Sequence, residues 1–69
     1  MSELKFEIVE HIATLSEGSW SMELNKVSWN GREPKYDLRK WSADYSRMGK
    51  GVTLTDEEFE ALREAINEL

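Results

Sequence analysis

The 69-residue chain contains no cysteine, so disulfides and thiolate metal sites are excluded. It has one histidine, His11, and a single imidazole cannot build a multi-histidine metal cage. No apolar run approaches the roughly 18 residues of a membrane span. The first residues, Met-Ser-Glu-Leu-Lys-Phe-Glu, lack a basic region followed by an apolar stretch, so no export signal is expected there. A cysteine-free chain without such a signal reads as cytoplasmic. Proline occurs once, at Pro34, and no low-complexity tract or linker interrupts the sequence, which reads as a single domain over residues 1–69. A domain of about 60 residues buries only roughly 60% of the surface its unfolded chain exposes. With neither disulfide nor metal to add stability, a second subunit is the expected source of further burial.

Charge is present in quantity and unevenly placed. The net charge is −5, yet residues 26–50 carry seven bases and three acids (net +4). The flanking stretches are acidic, −4 over residues 1–25 and −5 over residues 51–69. Local rather than total charge decides whether an anion is attracted. The basic block, with Lys26, Arg32, Lys35, Arg39, Lys40, Arg47 and Lys50, is therefore the place to look for one.

Hydrophobic periodicity predicts four strands and a helix. In Leu4 to Leu15, the residues Leu4, Phe6 and Ile8 alternate with Lys5, Glu7 and Val9, as on a strand with one buried face. The alternation then breaks at Leu15, and a helical stripe through Ile8, Ile12 and Leu15 competes with it. Trp20 to Trp29 reads as a second strand; Trp20, Met22 and Leu24 share one parity, while Val27 and Trp29 take the other, a phase change that suggests a bulge or bend. Asn30-Gly31 signals a hairpin, lengthened here by Arg32-Glu33-Pro34. Lys35 to Trp41 and Lys50 to Leu54 read as the third and fourth strands. Thr55-Asp56-Glu57-Glu58 is a capping box, and Phe59, Leu62, Ala65, Ile66 and Leu69 recur at spacings of three and four. The expected fold is α+β: a four-stranded antiparallel meander followed by one C-terminal helix, with the other sheet face left uncovered.

Catalysis finds no support. A hydrolytic triad needs a base and an orienting acid, and the one histidine reads as a partly exposed strand residue. Gly49-Lys50-Gly51 lacks the spacing of a phosphate loop and leads into a strand. No cofactor or metal is implied. The aromatics point elsewhere. Trp29, Tyr36, Trp41 and Tyr45 fall in the basic block, and single-stranded nucleic acids are held by cations along the backbone path with rings on which bases stack. By parity, Lys35, Arg39 and Trp41 share one face, so Trp41 is the expected exposed ring, Trp29 is intermediate, Trp20 is the expected core indole and Tyr36 packs beside Leu38. The alternative on these grounds is a protein partner on the open sheet face or a sheet edge, with the basic block meeting an acidic surface.

Asp37-Leu38-Arg39-Lys40-Trp41, then Met48-Gly49-Lys50-Gly51-Val52-Thr53-Leu54, then Thr55-Asp56-Glu57-Glu58-Phe59 together resemble the transcriptional coactivator family called positive cofactor four, and within it the compact bacterial YdbC-like branch. The resemblance is close over residues 20–69 and loose over the first strand. It implies a homodimer through the helices and single-stranded DNA lying across the sheets with little sequence preference, in transcription, replication or repair; single-stranded RNA is the alternative strand. Arg39 stands at the family's arginine, Lys50 at its lysine before the glycine, Trp29 at a stacking aromatic before a turn, and Trp41 at one of two aromatics after the arginine. The expected nucleic-acid contacts are Lys26, Trp29, Arg32, Lys35, Arg39, Trp41 and Lys50. The expected dimer contacts are Phe59, Leu62, Ala65, Ile66 and Leu69.

Overall fold

A computed structural model describes residues 5–69; Leu4, expected to open the first strand, lies outside the described residues. The elements are β1 (Phe6–Ser16), β2 (Trp20–Trp29), β3 (Lys35–Ser42), β4 (Met48–Leu54) and α1 (Asp56–Asn67). They form one antiparallel sheet in the order β1-β2-β3-β4, followed by the helix, as the sequence pattern predicts. Among the described residues no helix is long and apolar enough to cross a membrane.

The bulges fall on β1, where the alternation failed, and not on β2. Along β2 and β3 the register runs without a shift from Trp20↔Ser42 to Val27↔Lys35. Along β1 it shifts three times, skipping Val9, Ile12 and Leu15 in turn. Each skipped residue adds one position opposite β2, which converts a period of two into a period near three. This is why the segment also fitted a helical stripe. The phase change in β2 has another cause: both its faces are covered. Met22 and Leu24 lie on the side of the helix, while Glu23, Asn25 and Val27 are buried on the other.

The Asn30-Gly31 turn has positive φ at both residues, 54° and 76°, as a type I′ turn requires. Arg32 N closes it by donating to Trp29 O at 3.0 Å. Asn30 also ties down the chain before β1, donating from its backbone to Lys5 O at 2.7 Å. The helix starts where the capping box places it: Glu58 N donates to Thr55 Oγ1 at 3.1 Å, and Thr55 N donates to Glu58 Oε1 at 2.9 Å. Its first-turn acids Asp56, Glu57 and Glu58 suit the positive end of the helix dipole.

The helix lies over β3 and β4, anchored by Phe59 stacked on Tyr36 (ring centroids 3.8 Å apart, planes 8° apart). It covers the sheet incompletely. No residue of α1 is buried, Leu62 and Ile66 are 38% and 55% exposed, and a groove of about 240 Å³ remains between them and Leu15, Leu24 and Leu38. The buried centre of the molecule lies on the opposite face, at Val27, Trp41, Asn25 and Asp37.

Candidate nucleic-acid interface

The register places Phe6, Trp29, Val27, Lys35, Asp37, Arg39 and Trp41 on that opposite face, here called the ring face. Lys35, Arg39 and Trp41 do share one side of β3, as parity requires. The expectation that Trp41 is an exposed ring is overturned: it is 0% exposed. Phe6 covers it at 5.0 Å between centroids and Tyr45 at 5.7 Å. Charged side chains at Lys35, Asp37 and Arg39 implied a solvated face, but Asp37 and Arg39 pair with each other, and Phe6 and Tyr45 cover the indole beyond them. Trp20, expected in the core, is only half-buried at the end of β2, opposite Ser42.

Arg39 is held more tightly than a surface cation. Its Nε and Nη2 donate to the two carboxylate oxygens of Asp37 at 2.6 and 2.8 Å, a bidentate pair between a side chain 13% exposed and one fully buried. Nη1 donates to Gly49 O at 3.3 Å and contacts Met48 Sδ at 3.5 Å. Thr53 Oγ1 donates to Asp37 at 3.0 Å. The guanidinium lies 4.7 Å above the Trp29 ring, a cation–π stack. Gly51, directly across from Arg39, admits nothing larger, because a Cβ there would run into Arg39 Cβ and the Leu38 carbonyl oxygen. That glycine lets β4 close against the arginine.

A second polar cluster continues the face. Glu23 is 4% exposed and accepts from Tyr45 Oη at 2.7 Å and from Asn25 Nδ2 at 3.1 Å. The hydrogen bond to Glu23, helped by burial, raises the Tyr45 pKa. Tyr45 is placed for this by a positive φ of 61°, and the loop around it is fixed by Asp44, which accepts from Ser42 Oγ, Ser46 Oγ and Ser46 N. Those bonds, Ser46 foremost, lower the Asp44 pKa from 3.8 to about 2. Sequence reasoning named Tyr45 among the basic-block aromatics without placing it on this face, and did not single out Glu23, Asn25 or Phe6; Glu23 and Asn25 carried the opposite parity to Met22 and Leu24, which was the available signal.

Of the expected contacts, Trp29, Arg39 and Lys35 come together on the ring face, and exposed Arg32 sits in the turn beside Trp29. Lys50 is exposed on β4, in the irregular stretch between the pairs Arg39↔Gly51 and Trp41↔Met48. Lys26 does not join them: its Nζ lies 4.8 Å over the Tyr36 ring, on the helix side. The indole N–H groups of Trp29 and Trp41 are buried with no acceptor among the described residues. Among those residues no group of three His, Cys, Asp or Glu could hold a metal ion.

The ring face thus carries an arginine stacked on an indole, with exposed cations at its rim. Residues 16–65 match the family described as transcriptional coactivator p15 (PC4). An uncharacterised protein of Treponema pallidum (strain Nichols) is 52% identical over 66 residues, covering 93% of this chain and 78% of that protein. The chain belongs to the PC4 family, whose members are non-enzymatic nucleic-acid binders.

Proposed function

We propose that the protein binds single-stranded DNA on the ring face, with little dependence on sequence, and acts as a homodimer in cytoplasmic transcription, replication or repair. The observation that carries the reading is the Trp29–Arg39 stack at the centre of the basic block. An indole and a guanidinium plane are both surfaces on which an unpaired base stacks. Arg32, Lys35 and Lys50 are exposed around it and supply the phosphate contacts. Arg39 itself already balances Asp37, so it contributes a stacking plane more than a free charge. Stacking and phosphate contacts ignore base identity, which accounts for weak sequence preference.

The homodimer reading rests on the helix face. Phe59, Leu62, Ala65, Ile66 and Leu69 form one stripe, of which Leu62, Ile66 and Leu69 remain exposed in a single chain. A second helix laid along the groove buries them. The test of binding is tryptophan fluorescence titrated with oligo-dT and with a duplex of equal length, at low and high salt. Quenching by oligo-dT alone, weakening in log–log with salt by about 0.7 per phosphate neutralised, is the expected result. Absence of quenching at low salt sinks the reading, and binding indifferent to salt transfers the face to a protein partner.

A further inference from the structure

One line of hydrogen bonds on the ring face runs from a buried acid to a solvent-facing nitrogen, and its direction can be deduced atom by atom. Glu23 accepts from Asn25 Nδ2, and a carboxylate has no proton to give, so the amide NH₂ of Asn25 is turned toward Glu23. Asn25 Oδ1 then faces His11, with Nδ1 at 2.7 Å. An amide oxygen cannot donate, so His11 Nδ1 carries the hydrogen. In the neutral imidazole this leaves Nε2 as an acceptor. Among the described residues the one group bonded to Nε2 is the Thr14 hydroxyl at 3.1 Å, which is exposed and free to rotate away. The other charged group facing the ring is Glu23, 3.5 Å from Nδ1. Glu23 and Asn25 are buried, but the His11 side chain is 48% exposed. The network therefore presents a single outward acceptor of fixed tautomer.

Its position fits the proposed ligand path. The register sets Phe6 opposite Trp29 and His11 opposite Asn25, four residues along β2 on the same face. That separation is about 13 Å along a strand. A nucleic-acid strand rising at least about 3.4 Å per nucleotide covers it in four nucleotides or fewer.

We propose that His11 is a base reader, its Nε2 accepting the ring imino N–H of a thymine or guanine in a single strand stacked on Trp29. Cytosine and adenine present a lone pair at the equivalent ring nitrogen, and two acceptors repel. The proposal rests on the single-strand reading above and adds to it a bias at one nucleotide. The experiment compares the wild type and His11→Phe at pH 8 for binding to oligo-dT, oligo-dC and an oligomer of N3-methylthymidine, which keeps the ring but lacks the imino proton. One net hydrogen bond predicts that the wild type prefers oligo-dT to the methylated oligomer by about three- to tenfold. In His11→Phe the preference collapses below about twofold, the loss being one hydrogen bond, while oligo-dC, relieved of the facing lone pair, binds at least as well as to the wild type. Equal wild-type affinity for the two thymidine oligomers overturns the proposal, as does a preference that survives in His11→Phe. A ¹⁵N spectrum of the imidazole showing the hydrogen on Nε2 overturns it independently. Failure of every oligomer to bind refutes the single-strand reading itself, a result distinct from binding without preference.

Discussion

The two faces of the sheet bury their side chains by different means. The ring face is closed within one chain: Phe6 and Tyr45 cover Trp41, and the charges of Asp37 and Arg39 satisfy each other. The helix face is apolar and incomplete, with a leucine groove and an exposed stripe on α1. A polar interior demands that every partner be in place, whereas an apolar groove tolerates a missing cover at the expense of solubility. In the proposed function, ligand binding belongs to the face with organised polar groups and self-association to the face without them.

The largest expected effect tests closure of the ring face. Asp37→Ala leaves the Arg39 guanidinium buried without its carboxylate, and removing one partner of a buried pair costs about 3–5 kcal/mol. Urea denaturation measures it; a loss below about 1 kcal/mol, as for a surface pair, shows the pair to be solvated. Next comes the helix face. Leu62→Glu is expected to leave the monomer folded, since Leu62 is already exposed, and to weaken self-association by about 1.5–3 kcal/mol per copy. Analytical ultracentrifugation reads this, and an unchanged dimer moves the interface off the helix.

Trp29→Ala is expected to weaken oligo-dT binding by about 1–3 kcal/mol, the value of one stacked base. Lys26→Ala, on the other face, should change it less. Equal losses in the two variants abolish the distinction between the faces. The smallest effect concerns the Tyr45 loop. The folded Asp44 carboxyl titrates at about 2, below its ordinary 3.8, so its stabilisation is present above about pH 4 and fades as pH falls toward 2. Asp44→Asn should therefore be less stable than the wild type at neutral pH and converge with it near pH 2, followed by near-ultraviolet circular dichroism of the Trp41–Tyr45 pair.

Much of the architecture was legible in the residues. The capping box at Thr55 and Glu58, the stripe from Phe59 to Leu69 and the Asn30-Gly31 turn are local signals whose chemistry acts within a few residues. The site was legible in part. Trp29 and Arg39, singled out through the basic block and the family resemblance, do stack on each other, but Trp41 was assigned to solvent, because parity tells which residues share a face and not what covers it. The three bulges of β1 were equally hidden, since an extra residue shows only against the partner strand.

The sequence by itself determined the order of elements, the helix boundaries and the concentration of cations and rings in the middle third, because propensity, capping and periodicity are short-range. Tertiary structure alone decided that Asp37 neutralises Arg39, that Phe6 and Tyr45 close over Trp41, and that Glu23 and Asn25 fix the tautomer of His11. Those outcomes join side chains from different strands and loops. Burial and pairing depend on what the fold brings to within a few ångströms, and that distance is not written along the chain.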